Sequence, residues 1–223
     1  CVRHVRNPLT VQSPVPSSVR GSIFHRLFQK NDREAIGGRL EKSGYNKKPV
    51  DQAFLTENGF HGDEQYDRKH HGGVDKAVCV FSAHHLDYFS SELGKLLKMP
   101  AFGENLSVDR AEEKDLYIGD VFVSGDVQLQ ISQPRQPCYK TGAFHKNNKI
   151  IKLMTKSGFT GFYFRVLQGG QLHKGATFER QKSDGQFSLR LANDIMYGRN
   201  KDLQTRKSLI QHPALSAAWK KEL

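Results

Sequence analysis

The chain has 223 residues, enough to bury a sizeable core, and a polar composition with 37% hydrophobic residues and a mean hydropathy of −0.62. It contains no run of roughly 20 apolar residues and shows no signal-peptide pattern, so we expect a cytosolic protein that does not cross a membrane. Its three cysteines, Cys1, Cys79 and Cys138, are too few for a disulfide framework and match no zinc-ligand spacing.

The net charge is +11, from 34 Lys and Arg against 23 Asp and Glu. This excess favours an anionic partner, such as a nucleic acid, a nucleotide or a phosphate-bearing cofactor. The charge is spread along the chain, without the Lys/Arg block or interleaved aromatic residues typical of nucleic-acid binding. A phosphate pocket is therefore the favoured interpretation, and nucleic-acid binding is the least favoured.

The first half of the chain predicts short strands joined by loops. Residues 1–20 contain three prolines and little periodicity, which predicts an irregular arm. The patterns at 21–28 and 50–55 predict the first two strands, and the polar segment 31–46 predicts a loop.

A basic, glycine-containing turn precedes the next strand. The sequence RKHH leads into Gly72 and Gly73, and an apolar strand follows within residues 74–81. Glycines let another group approach the backbone closely, so this turn is either a polar hinge or a seat for a phosphate or oxyanion. Helical spacing of apolar residues then predicts a helix over 82–97, with Ser82 as its N-cap.

The segment that carries Cys138 is the most informative one for chemistry. Period-two alternation predicts a hairpin of strands 116–123 and 127–132, and the second strand stops at Gln133-Pro134. Pro137 restricts the loop that carries Cys138, while Arg135 and Lys140 are cations that favour a thiolate there. A metal ligand or a nucleophile is one interpretation of Cys138, and an ordinary loop cysteine is the other.

The remaining patterns predict a helix over 149–156, strands over 159–170 and 175–180, and three short helices over 188–197, 201–211 and 213–223. Strands and helices do not alternate, which argues against a doubly wound parallel sheet. We therefore predict a mixed β/α fold, with a β-barrel-like domain with flanking helices over 21–182 and a three-helix domain over 183–223.

Three stretches together resemble the MOSC domain family, named after the C-terminal domain of molybdenum-cofactor sulfurase. They are GDEQYDRKHHGGVDKAV (62–78), AFGENLS (101–107) and SQPRQPCYK (132–140). The helical tail resembles a bacterial stand-alone subgroup associated with resistance to N-hydroxylated purine analogues such as 6-hydroxylaminopurine. The resemblance covers roughly residues 40–223 and leaves the first forty residues without a counterpart.

The resemblance implies that Cys138 is the protein ligand to the molybdenum of a molybdopterin cofactor. The residues expected to bind that cofactor are Lys69, His71, Gly72, Gly73, Lys76, Asn105, Arg135 and Lys140. Their cationic members would hold the pterin phosphate, and His71 is the expected proton donor, so Cys138 and His71 are the expected catalytic residues. Pyridoxal phosphate binding is a further family-level expectation.

The resulting hypothesis is an oxidoreductase that reduces N-hydroxylated purines or pyrimidines to amines. The chain has no dinucleotide fingerprint and no cysteine cluster, so a separate flavin or iron–sulfur reductase is expected to supply electrons. Phe102 or Tyr139 could stack on a purine, or could pack in the core. The alternative function is a sulfur carrier with a persulfide on Cys138. The oligomeric state stays open.

Overall fold

The computed structural model describes residues 18–25, 34–36, 39–41, 45, 47–63 and 72–223. The strands are β1 (Ser18–His25), β2 (Glu34–Ile36), β3 (Arg39–Glu41), β4 (Lys48–Pro49), β5 (Gln52–Thr56), β6 (Gly59–Phe60), β7 (Val78–Ser82), β8 (Leu106–Val108), β9 (Val121–Ser124), β10 (Val127–Pro134), β11 (Phe162–Gln168), β12 (Gly170–His173) and β13 (Thr177–Lys182). The α-helices are α1 (Leu86–Leu93), α2 (Tyr139–His145), α3 (Lys149–Ser157), α4 (Leu189–Met196), α5 (Leu203–Gln211) and α6 (Ala217–Glu222).

Seven strands close into a barrel in the order β13-β9-β10-β11-β7-β8-β1, and β1 pairs back with β13. Neighbouring strands are antiparallel except β7 and β8, which run parallel. The alternation in β10 shows why the chain folds this way, because Val127, Leu129 and Ile131 are fully buried while Gln128 and Gln130 between them are half-buried. The predicted mixed β/α fold with a β-barrel core is confirmed.

Several predicted elements differ from the observed ones. The predicted loop over 31–46 contains the β2–β3 hairpin, and β1 begins at Ser18, three residues before its predicted start; residues 1–17 lie outside the described part of the chain. The predicted helix over 82–97 opens as a 3₁₀ turn, Ala83–His85, and its α-helical part ends at Gly94, which adopts a left-handed conformation. Ser82 occupies the N-cap position of this 3₁₀ turn, as predicted, but its side chain makes no capping hydrogen bond.

The three predicted C-terminal helices are confirmed as α4, α5 and α6. Each begins after a side-chain N-cap, Ser188, Asp202 or Ser216, whose oxygen accepts a hydrogen bond from the backbone N–H three residues later. Their apolar faces join the hydrophobic cluster of the barrel, in which Trp219 is 1% exposed. The helices therefore share one core with the strands, and a separate domain over 183–223 stays a prediction.

A second hydrophobic cluster lies where α1 and α3 pack together. Phe81 at the end of β7 and Phe102 stack in this cluster with ring centroids 3.9 Å apart, and Phe89, Ile150 and Met154 are fully buried there. Within the described part of the chain, no helix has the length and apolar character needed to cross a membrane.

Candidate functional site

Cys138 lies at a tightly anchored junction between β10 and α2. The Cys138 side chain is half-buried. The residue occupies the N-cap position of α2, and its backbone carbonyl accepts a hydrogen bond from the Thr141 N–H at 2.9 Å. Three residues earlier, the Arg135 N–H donates to the Gly161 carbonyl at 2.9 Å, which fixes the start of the loop against β11. The sequence prediction of a restricted loop around Cys138 is confirmed.

Arg135 is a buried cation that is only partly satisfied. Arg135 is 5% exposed, and its Nη2 donates a hydrogen bond to the Tyr45 hydroxyl at 3.0 Å. The Tyr45 hydroxyl is in turn hydrogen-bonded to Thr141 in the first turn of α2. Among the described residues, the second guanidinium nitrogen, Nη1, has no hydrogen-bond partner, and no carboxylate forms an ion pair with Arg135. A buried N–H group without an acceptor is costly, so Nη1 is a donor available to a ligand.

Cys79 lies on β7 next to this guanidinium and opposite Tyr163 of β11. Burial raises the pKa of the Cys79 thiol, an effect that the charge of Arg135 opposes. Burial raises the pKa of Tyr163, the strand partner of Cys79, as well. Cys79 is buried, with 9% of its surface exposed. Of the two described cysteines, Cys138 is therefore the more accessible.

A fully buried carboxylate organises the AFGENLS turn. Glu104 accepts hydrogen bonds from the Phe102 N–H and from the Ser107 hydroxyl, both at 2.8 Å. Gly103 has a φ of +71°, and a Cβ there would lie 3.1 Å from the Tyr45 ring. The turn thus needs a glycine followed by an acceptor, and it packs against the tyrosine that holds Arg135.

Asn105 links this turn to the barrel and to a buried ion pair. Its Oδ1 accepts from the Cys79 N–H at 3.1 Å, and its Nδ2 donates to Asp63 at 2.5 Å. Asp63 also accepts from Lys47, with Nζ–O distances of 2.8 and 2.6 Å, and both of those side chains are nearly inaccessible. The two polar atoms of the Asn105 side chain are thus engaged within the protein, which makes Asn105 a residue that shapes the site.

The glycine turn is tied to the strand that leads to Cys138. The Ser132 hydroxyl on β10 donates to the Asp75 carbonyl at 2.5 Å, within the 3₁₀ turn Val74–Lys76 that follows Gly73. Gly73 has a φ of +98°, and a Cβ at this position would meet no described atom within 4 Å. Among the described residues, the backbone of this turn therefore faces open space that a ligand could enter.

The other predicted site residues are placed as follows. Gly72, Lys76 and Lys140 are half-buried, and Lys140 lies in the first turn of α2, two residues after Cys138. Lys69 and His71 lie outside the described residues, so their roles stay predictions.

The two candidate stacking residues have different surroundings. Phe102 is fully buried, so the core-packing alternative for it is confirmed, whereas Tyr139 is 62% exposed beside Cys138. Among the described residues, no group of three or more His, Cys, Asp or Glu side chains is arranged to hold a metal ion.

Sequence reasoning did not assign site roles to Tyr45, Asp63, Glu104 or Cys79. Their contacts join segments that are far apart in the chain, as the sequence separation of 96 between Tyr45 and Thr141 shows. The one local signal was the acceptor at Glu104 directly after a glycine, which is typical of a side chain that closes its own turn.

A model of the MOSC domain matches residues 67–179. Protein YflK of Bacillus subtilis (strain 168) is 38% identical over 203 residues, which cover 90% of this chain and 92% of YflK. Protein YiiM of Escherichia coli (strain K12) is 34% identical over 171 residues, covering 75% of this chain and 76% of YiiM. A protein of Gibberella moniliformis named "Reductase" is 28% identical over 89% of this chain, but the match covers 36% of that protein.

Solved structures agree with the sequence relatives. YiiM from Geobacillus stearothermophilus is 32% identical, with a TM-score of 0.74 and coverage of 90% of this chain and 94% of that structure. YiiM from Escherichia coli gives a TM-score of 0.75 at 28% identity, over 92% of this chain and 90% of that structure. Each of these two matches thus spans about nine-tenths of this chain.

Proposed function

Because this chain belongs to the MOSC domain family, we propose that it is a molybdenum-cofactor-dependent oxidoreductase that reduces N-hydroxylated nucleobases, such as 6-hydroxylaminopurine, to the corresponding amines. The observation that carries this proposal is the pairing of an accessible thiol at Cys138 with the buried, unsatisfied guanidinium nitrogen of Arg135. One is a soft metal ligand, and the other is a donor for an anionic group.

The described residues fit such a cofactor. A cysteine thiolate suits a soft, redox-active metal. The pterin carries a phosphate, and Arg135 offers a desolvated N–H donor to an anion. The open space over Gly73 leaves room for a group to approach the backbone of that turn. Cys138 would therefore hold the metal, and Arg135 would hold an anionic part of the cofactor.

The reaction consumes two electrons and two protons, since the N–O bond breaks and the products are an amine and one water. When bound, the molybdenum cofactor supplies the two-electron oxygen-atom chemistry. The exposed Tyr139 ring, directly after Cys138, offers a surface on which a purine can stack. The expected proton donor is His71, because a histidine can exchange a proton near neutral pH.

Electrons must come from a second protein in this proposal. The whole chain has three cysteines, fewer than the four that an all-cysteine iron–sulfur cluster needs. The Gibberella moniliformis relative supports a link to a reductase, because it bears that name and most of its length lies outside the matched region.

The first test is the molybdenum content of the protein produced in a host that makes the cofactor. We expect near-stoichiometric molybdenum in the wild type and in Cys79→Ala, and none in Cys138→Ala. Circular dichroism melts would show that each variant is folded. Reduction of 6-hydroxylaminopurine with reduced methyl viologen as the electron source would then follow the metal. Equal molybdenum in the wild type and in Cys138→Ala would overturn the assignment of the ligand.

The accessibility of Cys138 also supports the second candidate function, a sulfur carrier. A persulfide needs a reachable thiol and no metal. After incubation with a cysteine desulfurase and cysteine, intact-protein mass spectrometry would show one added sulfur on the wild type and none on Cys138→Ala. An unchanged mass for the wild type would exclude this function.

A further inference from the structure

A surface of uncompensated positive charge lies beside α2 and α3. The sequence has no Asp or Glu between Asp126 and Glu179, although Lys and Arg recur throughout that stretch. Exposed lysines on and just before α3 lie next to a second segment, which follows α1 and carries exposed lysines and apolar residues. We call this surface the basic face; its members are Lys95, Leu96, Lys98, Met99, Lys146, Lys149, Lys152 and Lys156.

Helix α3 presents one polar stripe to this face. Lys149, Lys152 and Lys156 are exposed and are spaced three and four residues apart, so they lie along one side of the helix. Ile150 and Met154 on the other side are fully buried in the second hydrophobic cluster. Packing of the apolar side therefore holds the lysines outward.

Direct contacts place the segment after α1 next to these helices. The Lys149 ammonium donates to the Glu92 carbonyl at 2.5 Å, and the His145 ring nitrogen Nε2 donates to the Ala101 carbonyl at 2.7 Å. Lys95 is near enough to His145 for its charge to help lower the pKa of that histidine, after the larger effect of burial. The lysines from both segments thus share one surface.

Little negative charge offsets this surface. Glu92 pairs with Lys149 at 3.3 Å, while the other five lysines of the basic face form no ion pair with any described residue. Both apolar members of the basic face are exposed, Leu96 at 73% and Met99 at 41%. Apolar side chains ringed by charges of one sign are typical of a surface that recognises a protein of opposite charge.

The basic face also lies close to the proposed reaction centre. Helix α2 begins directly after Cys138 and ends at His145. Lys146 follows this histidine, and Lys95 lies near it. A seven-residue helix with a rise of about 1.5 Å per residue spans about 10 Å. A protein docked on this face would therefore approach Cys138 along one short helix.

We propose that the basic face is the docking site for an acidic electron-transfer protein with a flavin or an iron–sulfur centre. This inference rests on the proposed function, which needs an external source of electrons. Opposite charges speed the encounter of such proteins, and their interfaces are small and short-lived. Binding should therefore weaken steeply as salt rises.

The test measures binding of the full chain to two acidic one-electron carriers, a recombinant flavodoxin and a plant-type ferredoxin, over a range of sodium chloride concentrations. The docking variant is K146E/K152E/K156E. The matched control is K201E/R206E/K207E, with three exposed cations on or just before α5. Each triple change lowers the net charge by 6, from +11 to +5.

We expect the docking variant to bind at least one carrier about tenfold more weakly and to lose most of the salt dependence, while the control stays within about twofold of the wild type. Leu96→Ser should weaken binding about threefold or more even at high salt, because it removes apolar contact. Equal losses of binding in both triple variants would show that only net charge matters and would overturn the proposal. Absence of saturable binding of either carrier to the wild type would also overturn it.

Two further measurements separate this inference from its alternatives. Activity with reduced methyl viologen should be the same in the docking variant and the wild type; if the wild type has no such activity but binds a carrier through the basic face, the proposed reaction fails and the docking site stands. If the docking variant loses binding to a single-stranded oligonucleotide but not to either carrier, the face binds nucleic acid, and the proposal is wrong.

Discussion

Replacing Arg135 by methionine should stabilise the cofactor-free protein, although it removes a buried side chain. Arg135 is 5% exposed, forms no ion pair with a described carboxylate, and leaves Nη1 without an acceptor. An ionised group buried without compensation lowers stability. A methionine of similar length would fill the space without that cost.

The expected change in the free energy of unfolding is the difference between one lost hydrogen bond and the cost of burial that the substitution removes. The substitution removes one hydrogen bond, from Nη2 to the Tyr45 hydroxyl, worth about 1 kcal/mol. Tyr45 keeps its bond to Thr141, so its hydroxyl is not left unsatisfied. Relief of one unsatisfied N–H and of an unpaired buried charge contributes about 2–3 kcal/mol. The net gain is about 1–2 kcal/mol, which corresponds to a rise in Tm of about 2–8 °C.

The matched control is Arg180→Met. Arg180 is also largely buried, and its Nε likewise has no hydrogen-bond partner among the described residues. Unlike Arg135, it has a carboxylate beside it, since its Nε lies 3.4 Å from the fully buried Asp120, and its Nη2 donates to the Asp115 carbonyl at 2.7 Å. Its removal leaves Asp120 without its cation and should lower stability by about 3 kcal/mol. The same chemical change should thus have opposite signs at the two positions.

The assay is thermal unfolding of protein from a host that cannot make the cofactor, repeated with cofactor-loaded protein. The bound cofactor should stabilise the wild type and not Arg135→Met, because the variant has lost an anion donor. If Arg135→Met lowers the Tm of the cofactor-free protein as much as Arg180→Met does, Arg135 is a structural residue and the reasoning about its free donor is refuted.

Two predictions concern the surroundings of the site. Burial lowers the pKa of His145, so below about pH 6.5 the unfolded chain binds a proton that the folded chain does not. Stability should therefore fall as pH decreases through this window, and His145→Gln should flatten that slope in pH-dependent urea melts; an unchanged slope would contradict the prediction. Gly161→Ala should destabilise by about 3 kcal/mol or more, because φ is +73° and the new Cβ would lie 2.3 Å from the Val80 carbonyl oxygen. Gly125→Ala, with a φ of +57° and no atom within 4 Å, should cost only about 1 kcal/mol, and similar losses in the two variants would show that the crowding is relieved.

Local patterns in the sequence predicted the fold well where burial follows the strand or helix period. The β9–β10 hairpin and helices α3 to α6 are examples, because each has one apolar side that the barrel or the second cluster covers. Helix α2 was not predicted, since it follows two prolines and contains Gly142. A Cβ at Gly142 would lie 2.3 Å from the Asn148 side chain, a close contact that no local pattern reveals.

Local patterns predicted Cys138 and the neighbouring Arg135, but not the buried residues that hold them in place. Cys138 follows from its loop, because prolines, nearby cations and the end of a strand are all local features. The buried residues near Cys138 include Tyr45, which is hydrogen-bonded to Thr141, and Asp63, which contacts Lys47 and Asn105. Such contacts depend on barrel closure, and sequence patterns carry no signal for them.

The two described cysteines show how position assigns chemistry to the same side chain. Cys79 lies on a strand of the barrel opposite Tyr163, where burial raises the pKa of its thiol. Cys138 lies where a strand has just ended and a helix begins, so its thiol stays partly exposed. Arg135, three residues before it, donates to the Tyr45 hydroxyl and keeps one donor unused. An apolar residue at this position would serve stability better, and the unsatisfied donor supports the proposal that an anionic ligand binds to Arg135.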